Sequence, residues 1–423
     1  MSLTRVSNLL RRRSLQQFVN VACVSTSGHN FVTAESLGEK PARGNGFKLS
    51  RKQKKDLDKL VAIPPALLGT AISKVEVIEF TKIFPDLVQE LTRTPPESID
   101  SPSPPANRQH FGKVLQYNVA SGKKNRGLAT VLSYKMLAKP EDQTPENLFL
   151  ARIMGWCLEL FHSSLLVAQD TIDKAETRRR RPAWHIMLQE QYGDLGSSAA
   201  FNDSALLKSG VYQILRIFFG DKPYYKDAVQ LFLEMSQRYN LGQALDLEAR
   251  ADKSLSMHTM ERYLTIVRNK TAHHSFRAPV TLALFMTGVR DNETHRQVKT
   301  IQMEMAQFFQ VQNNFLDCYA DTKVLGRPGT DIEDGRLSWL SVVALQRASP
   351  KQRKIMQECY GEKDPEKVAQ VKELYSELEL PFMYKIYEDQ SYDLICTQVQ
   401  QNTKNLPHKL FFKFLEKIYV RNK

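Results

Sequence analysis

Residues 148–170 read LFLARIMGWCLELFHSSLLVAQD. Apolar side chains recur at 150, 153, 154, 157, 158, 161, 165 and 168, the i, i+3, i+4 stripe of an α-helix. Other faces of the stretch are also apolar, so the helix is expected to be buried on most sides. It runs into QDTID at 169–173, and RRRRP follows at 178–182. NNFLD at 313–317 repeats the layout, with KVLGR behind it at 323–327. On a helix, positions i, i+1 and i+4 share one side. Gln169, Asp170 and Asp173 therefore form one cluster, and Asn313, Asn314 and Asp317 another.

Outward from these clusters the pattern stays helical from about residue 75 to the C-terminus. Alternating strand patterns are scarce, and no Asn-Gly or Asp-Gly turn joins β-like runs. TPPESIDSPSPP at 94–105 reads as a Pro/Ser loop between helices. The expected fold is all-α, one large helical bundle with the two clusters facing each other across it.

Composition narrows the class. The 423 residues are 42% hydrophobic and 25% charged, ordinary for a folded chain. No run reaches about 18 consecutive apolar residues, so no transmembrane segment is expected. The longest candidate, APVTLALFMTGV at 278–289, has the length of a core helix. The net charge is +13, but residues 1–59 carry 12 Lys/Arg against 4 Asp/Glu, a net +8. Only +5 remains for the rest, which argues against a nucleic-acid partner. The cysteines at 23, 157, 318, 359 and 396 show no C-x-x-C pair. Reduced intracellular thiols are the simple reading, with Cys157 in the core.

No acidic residue precedes Glu35, while Arg5, Arg11, Arg12, Arg13, several serines and scattered leucines do. That is the composition of a mitochondrial transit peptide. The domain reading is a leader over 1–45, a basic linker over 46–74 and one helical domain over 75–423.

Carboxylates at this spacing near a helix end suit hydrated Mg²⁺, which prefers one or two carboxylates plus substrate phosphate oxygens. The basic neighbours Arg178, Arg179, Lys270 and Arg327 suit a polyphosphate, since arginine binds phosphate bidentately. Specific stretches now accumulate: VLQYNVASGKKNRGL (114–128), GWCLELFHSSLLVAQDTIDKAETRRRRPAW (155–184), GQALDL (242–247), YLTIVRNKTAHHSF (263–276) and FFQVQNNFLDCYADTKVLGRPGTDIEDGRLSWL (308–340). In these the chain resembles animal-type farnesyl diphosphate synthases, from about residue 76 to the tail LPHKLFFKFLEKIYVRNK.

The resemblance implies the isoprenoid-synthase helical fold and head-to-tail prenyl transfer. Three Mg²⁺ ions would clamp an allylic diphosphate between two aspartate-rich motifs. The cation left by ionisation would be attacked by isopentenyl diphosphate. Lys123, Arg126, His162 and Arg179 would bind isopentenyl diphosphate. Arg178, Lys270, Thr271, Gln310 and Arg327 would serve the allylic diphosphate, and Arg421 would close over the second substrate. A homodimer is implied, with a heterodimer of paralogous synthases as the variant.

The chain departs from the family's D-D-x-x-D motifs. Gln169, Asn313 and Asn314 stand where aspartates are usual, leaving Asp170, Asp173 and Asp317, with Asp246 and Asp331 as supports. Three lost charges should weaken metal binding. Arg327 replaces the usual lysine. Ser164 and Leu165, which set chain length, replace a Phe pair, so a deeper pocket and a longer or branched product are expected. Altered motifs and a mitochondrial leader resemble an insect, moth-type class whose products feed hormone or pheromone synthesis. Two rivals stay open: a terpene synthase that ionises an allylic diphosphate without isopentenyl diphosphate, and a weakly active subunit of a heterodimer.

Overall fold

The structure is a computed structural model, and it describes residues 73–93, 105–320, 329–402 and 406–419. The expected leader, the linker up to residue 72, and the site candidates Arg327 and Arg421 lie outside the described residues. The described chain is all-α apart from one two-residue ribbon.

The 148–170 stretch belongs to α5 (Pro145–Asp173), preceded by α1 (Lys74–Lys82), α2 (Phe84–Thr92), α3 (Pro105–Asn118) and α4 (Asn125–Leu137). Thr144 caps α5, accepting from the Asn147 N–H, and Pro145 fills the first turn. Its other end is closed by Lys174 in the left-handed conformation, φ 52°, whose N–H returns to the Asp170 carbonyl. Ile153, Met154, Trp156, Cys157, Leu158, Leu160 and Phe161 are all fully buried, so the helix is enclosed as its sequence suggests. It is long and apolar enough to cross a membrane, yet 83% of its most apolar stretch is buried within the protein. It packs on α4 and on α7 (Gly196–Phe219).

The packing on α4 depends on two facing glycines. A Cβ on Gly155 would lie 2.7 Å from the Gly127 carbonyl and 2.8 Å from the Phe80 ring. That close approach lets the Glu159 carboxylate accept from the Arg126 and Gly127 N–H groups at 3.0 and 2.8 Å.

The RRRR run forms the ribbon, β1 (Thr177–Arg178) against β2 (Arg181–Pro182), antiparallel. Arg179 and Arg180 occupy the two-residue turn with φ 54° and 61°. A turn with both central residues left-handed matches the twist of a hairpin but normally selects Asn or Gly. The ribbon leads into α6 (Trp184–Tyr192), α7 and α8 (Tyr225–Ala251).

Next comes a continuous helix in three parts: α9 (Met260–Val267), a π-helical segment (Arg268–Arg277) and α10 (Ala278–Met286). The chain continues as α11 (Asn292–Tyr319), α12 (Trp339–Arg347), α13 (Pro350–Cys359), α14 (Pro365–Glu377), α15 (Leu380–Asn402) and α16 (His408–Tyr419). The π segment packs on α8 and α11, and α11 packs on α15.

Because backbone atoms set the α4–α5 distance, Gly155→Ala should destabilise the fold by about 1–3 kcal/mol, the usual cost of overpacking. Urea unfolding with an unchanged m-value and a lowered midpoint is the expected result.

Candidate active site

Both clusters fall near the C-terminal end of a long helix, Gln169, Asp170 and Asp173 on α5, Asn313, Asn314 and Asp317 on α11. This is the negative end of the helix dipole, so carboxylates there need cations or donors. In the first cluster these are arginines. Arg178 grips both Asp170 oxygens, with Nε at 3.1 and 2.8 Å and Nη2 also on Oδ1. Asp173 Oδ1 accepts from Arg250 Nη1 at 2.7 Å and Oδ2 from Arg336 Nη2 at 2.5 Å. Burial alone would raise the Asp173 pKa, but Arg336 and then Arg250 outweigh it and hold it below the usual carboxylate range.

The second cluster is built differently. Asn314 is buried; its amide oxygen accepts from Tyr263 Oη at 2.9 Å and its Nδ2 donates to Asp331 Oδ2 at 2.8 Å. Asp317 Oδ1 accepts the Asp331 N–H at 2.8 Å. Asn313 and Gln169 are half-buried at the cluster margins.

The π segment supplies the next two residues. An i→i+5 helix is wider than an α-helix, and such segments recur at functional sites. Lys270 Nζ donates to Asp246 Oδ2 at 2.6 Å, and Thr271 Oγ1 donates to Gln310 Oε1 at 3.0 Å. A Cβ on Gly242 would meet Asn269 Cβ at 2.8 Å and Lys270 Cγ at 2.9 Å, so only glycine lets α8 come this near. Lys270 is thus brought to the Asp246 carboxylate, and Thr271 and Gln310 to each other.

A second cationic group lies on the α4 side. Arg179 projects from the ribbon turn onto the 118–122 loop, donating to the Asn118 carbonyl at 3.2 Å and Ser121 Oγ at 3.0 Å. Arg126 donates to Ser275 Oγ from Nε at 3.0 Å and Nη2 at 2.8 Å. Ser275 in turn bonds His274 Nε2 at 3.0 Å, and His274 stacks on His162 with ring centroids 5.7 Å apart. Lys123 is exposed on the same loop, whereas Lys124 is buried, donating to the Val119 and Ser121 carbonyls. Burial pushes the Lys124 ammonium down to about 8. Lys417 of α16 is within electrostatic reach of Glu159 and Lys123.

A narrow cleft opens beside Asp170, lined by Ser163, Leu166, Val167, Arg178 and Arg179 among others. Ser164 is not on its wall. It is fully buried, donating to the Phe161 carbonyl at 2.7 Å, and Leu165 is 3% exposed in the core. The sequence missed Arg250, Arg336, Ser275, His274 and Lys417. Arg336 lay within a quoted motif, but only folding carries it to Asp173, 163 positions away.

Residues 108–378 match the polyprenyl synthetase family. This chain belongs to that family. It is 41% identical to the farnesyl pyrophosphate synthase of Nezara viridula over 356 residues, 84% of this chain and 85% of that one. It is 40% identical to the Bos taurus enzyme of the same name over 347 residues, 82% and 96% of the two chains. Among solved structures, T. brucei farnesyl diphosphate synthase complexed with risedronate superposes with a TM-score of 0.73 at 26% identity. That match covers 82% of this chain and 100% of the other. The minodronate complex of the T. brucei enzyme gives a TM-score of 0.74. The chain is accordingly a trans-prenyltransferase of the farnesyl diphosphate synthase type.

The family is magnesium-dependent. The carboxylates here do not fit a resident ion as they stand. All four oxygens of Asp170 and Asp173 accept from arginines, and the Asn314 oxygen is turned to Tyr263. Among the described residues no group of three or more His, Cys, Asp or Glu is laid out for a metal.

Buried histidines make the stability pH-dependent. Burial lowers His258 to about 4 and His273 to about 3, and takes His274 well below its ordinary value. Below about pH 6.5 the unfolded chain binds protons that the folded one refuses, so stability falls with pH. The expected loss is about 1.4 kcal/mol per pH unit for each histidine between pH 6.5 and the folded value. Urea midpoints should fall between pH 7 and pH 5.5, less steeply in His274→Phe. A flat profile to pH 5 would contradict it.

Proposed function

We propose that this chain condenses isopentenyl diphosphate with dimethylallyl or geranyl diphosphate to give farnesyl diphosphate or a branched homologue. The observation that carries the reading is the presence of two separate cationic groups. One, with Arg178, Lys270, Arg250 and Arg336, surrounds the carboxylates of α5 and α8. The other, with Arg126 and Arg179 and with Lys123 and Lys417 nearby, lies against α4. Two diphosphate substrates need two such groups; the terpene-synthase rival needs one.

In this reading Arg178 exchanges Asp170 for the allylic diphosphate, and Lys270 and Thr271 donate to it as its C–O bond breaks and the electron pair leaves with the oxygen. Fixed donors aimed at developing charge are the largest single source of rate. Isopentenyl diphosphate, held by Arg126 and Arg179 with His162 alongside, gives its π electrons to the allylic cation to form the new C–C bond, and the resulting cation passes a proton to the released diphosphate as the new double bond forms. Buried Ser164 and Leu165 are assigned to chain length through the packing behind the hydrocarbon site. Magnesium would enter with diphosphate, not before it.

Exposed Phe201 on α7 and Leu233 and Leu241 on α8 support the homodimer, with a heterodimer as the variant. The neutral, internally paired Asn314 favours the second reading, a weakly active subunit. Mitochondrial targeting by residues 1–45 rests on their composition.

Purified full-length chain with Mg²⁺, labelled isopentenyl diphosphate and each allylic partner tests the proposal, with products identified by mass spectrometry. Label should appear in a C15 or branched chain. Lys270→Ala should lower kcat by about 10²-fold or more, and Arg126→Ala should raise KM for isopentenyl diphosphate. Conversion of the allylic substrate to hydrocarbon or alcohol without label would favour the terpene-synthase rival.

A further inference from the structure

Arg336 follows the turn after residue 329 and is 15% exposed in its side chain. Its guanidinium meets carboxylates from three elements. Nη2 lies 2.5 Å from Asp173 Oδ2 on α5, Nη1 3.8 Å from Asp246 Oδ2 on α8, and Nε 3.5 Å from both Asp331 Oδ1 and Asp334 Oδ2 on its own turn. Asp331 is also the partner of Asn314, so the guanidinium touches the first cluster directly and is linked to the second through Asp331. Arg250 reinforces this from α8, bonding Asp173 and, through Nε, the Asp334 carbonyl at 3.2 Å.

We infer that Arg336 is a built-in bridging cation, supplying between the two clusters the positive charge that a divalent ion would otherwise have to bring. The carboxylates it joins converge from helices that would repel one another if left unneutralised. Their combined field holds the guanidinium charged against a burial penalty that alone would lower its pKa. An ion placed between Asp173, Asp246 and Asp331 would have to displace Arg336 from Asp173 Oδ2 and Lys270 from Asp246 Oδ2, and would meet the Arg336 charge beside Asp331. The amides at 169, 313 and 314 remove negative charge around the same point, so the protein's own cations come closer to balancing the site. The chemical class of ligand follows: the site should accept diphosphate with less accompanying metal, because Arg336 and Arg250 already supply fixed cations. This inference rests on the prenyl-transfer reading only for that consequence.

The test therefore uses no turnover. Full-length protein treated with chelator is titrated with Mn²⁺ alone, bound metal being read from loss of the free-ion EPR signal, with Mg²⁺ as competitor. Wild type should bind weakly. Arg336→Gln should gain at least tenfold in Mn²⁺ affinity, since Asp173 Oδ2 and Asp331 lose the cation they share. Arg336→Lys should stay near wild type, and adding Asp173→Asn to Arg336→Gln should remove the gain. Tight Mn²⁺ binding by wild type, or no gain in Arg336→Gln, overturns the inference. If Arg336→Gln alone fails to fold by circular dichroism, the double variant decides: restored folding supports the counterion role, and failure to restore it overturns it. The product assay can fail while this measurement succeeds, and the reverse, so the two claims are separately exposed.

Discussion

Two carboxylates sit in the last turn of a 29-residue buried helix, at the end where the helix dipole opposes them. Much of the site consists of the arginines that surround Asp170 and Asp173 there. Arg178 arrives on a two-residue ribbon whose turn holds Arg179 and Arg180 at positive φ, at a cost of about 1–2 kcal/mol per residue. The strain has a consequence for geometry: one short turn sends Arg178 back to α5 and Arg179 across to the 118–122 loop. The two candidate diphosphate groups are therefore set by neighbouring residues of one ribbon.

The same constraint reaches the more distant elements. Arg250 lies at the end of α8 and Arg336 on the turn before α12, so Asp173 ties α5 to both. Between them the π segment widens the long 260–286 helix just where Lys270 must reach Asp246. Gly242 clears the space for that contact. Removing one partner of a buried ion pair is costly because the other is left uncompensated. The arginines therefore hold structure and chemistry at once, and a substrate diphosphate must compete with carboxylates for them.

The all-helical class and the burial of 148–170 were legible because helical periodicity is a local signal, and the structure bears them out. Lys270, Thr271, Gln310, Arg126 and Arg179 were singled out because they stand in stretches specific enough to identify the family. What the sequence did not disclose was pairing across distance. Arg250 has the look of a solvated arginine in LEARAD, and Arg336 of one more charge in DIEDGR. Nothing local says that both end on Asp173. The π segment was equally hidden, since its sequence keeps a helical pattern while its hydrogen bonds shift by one residue. Ser164 was read as part of the floor of a deeper pocket; it is fully buried, and Ser163 lines the cleft beside Asp170.

The central claim is that arginines, rather than bound ions, hold the first cluster together in the absence of substrate. A double-mutant cycle in metal-free buffer tests it most directly, with Asp173→Asn, Arg336→Gln and the pair compared by urea unfolding. The account predicts that each single change is strongly destabilising and that the two are coupled by about 2 kcal/mol or more, as for buried charge pairs. Additive effects, with coupling near zero, would contradict it.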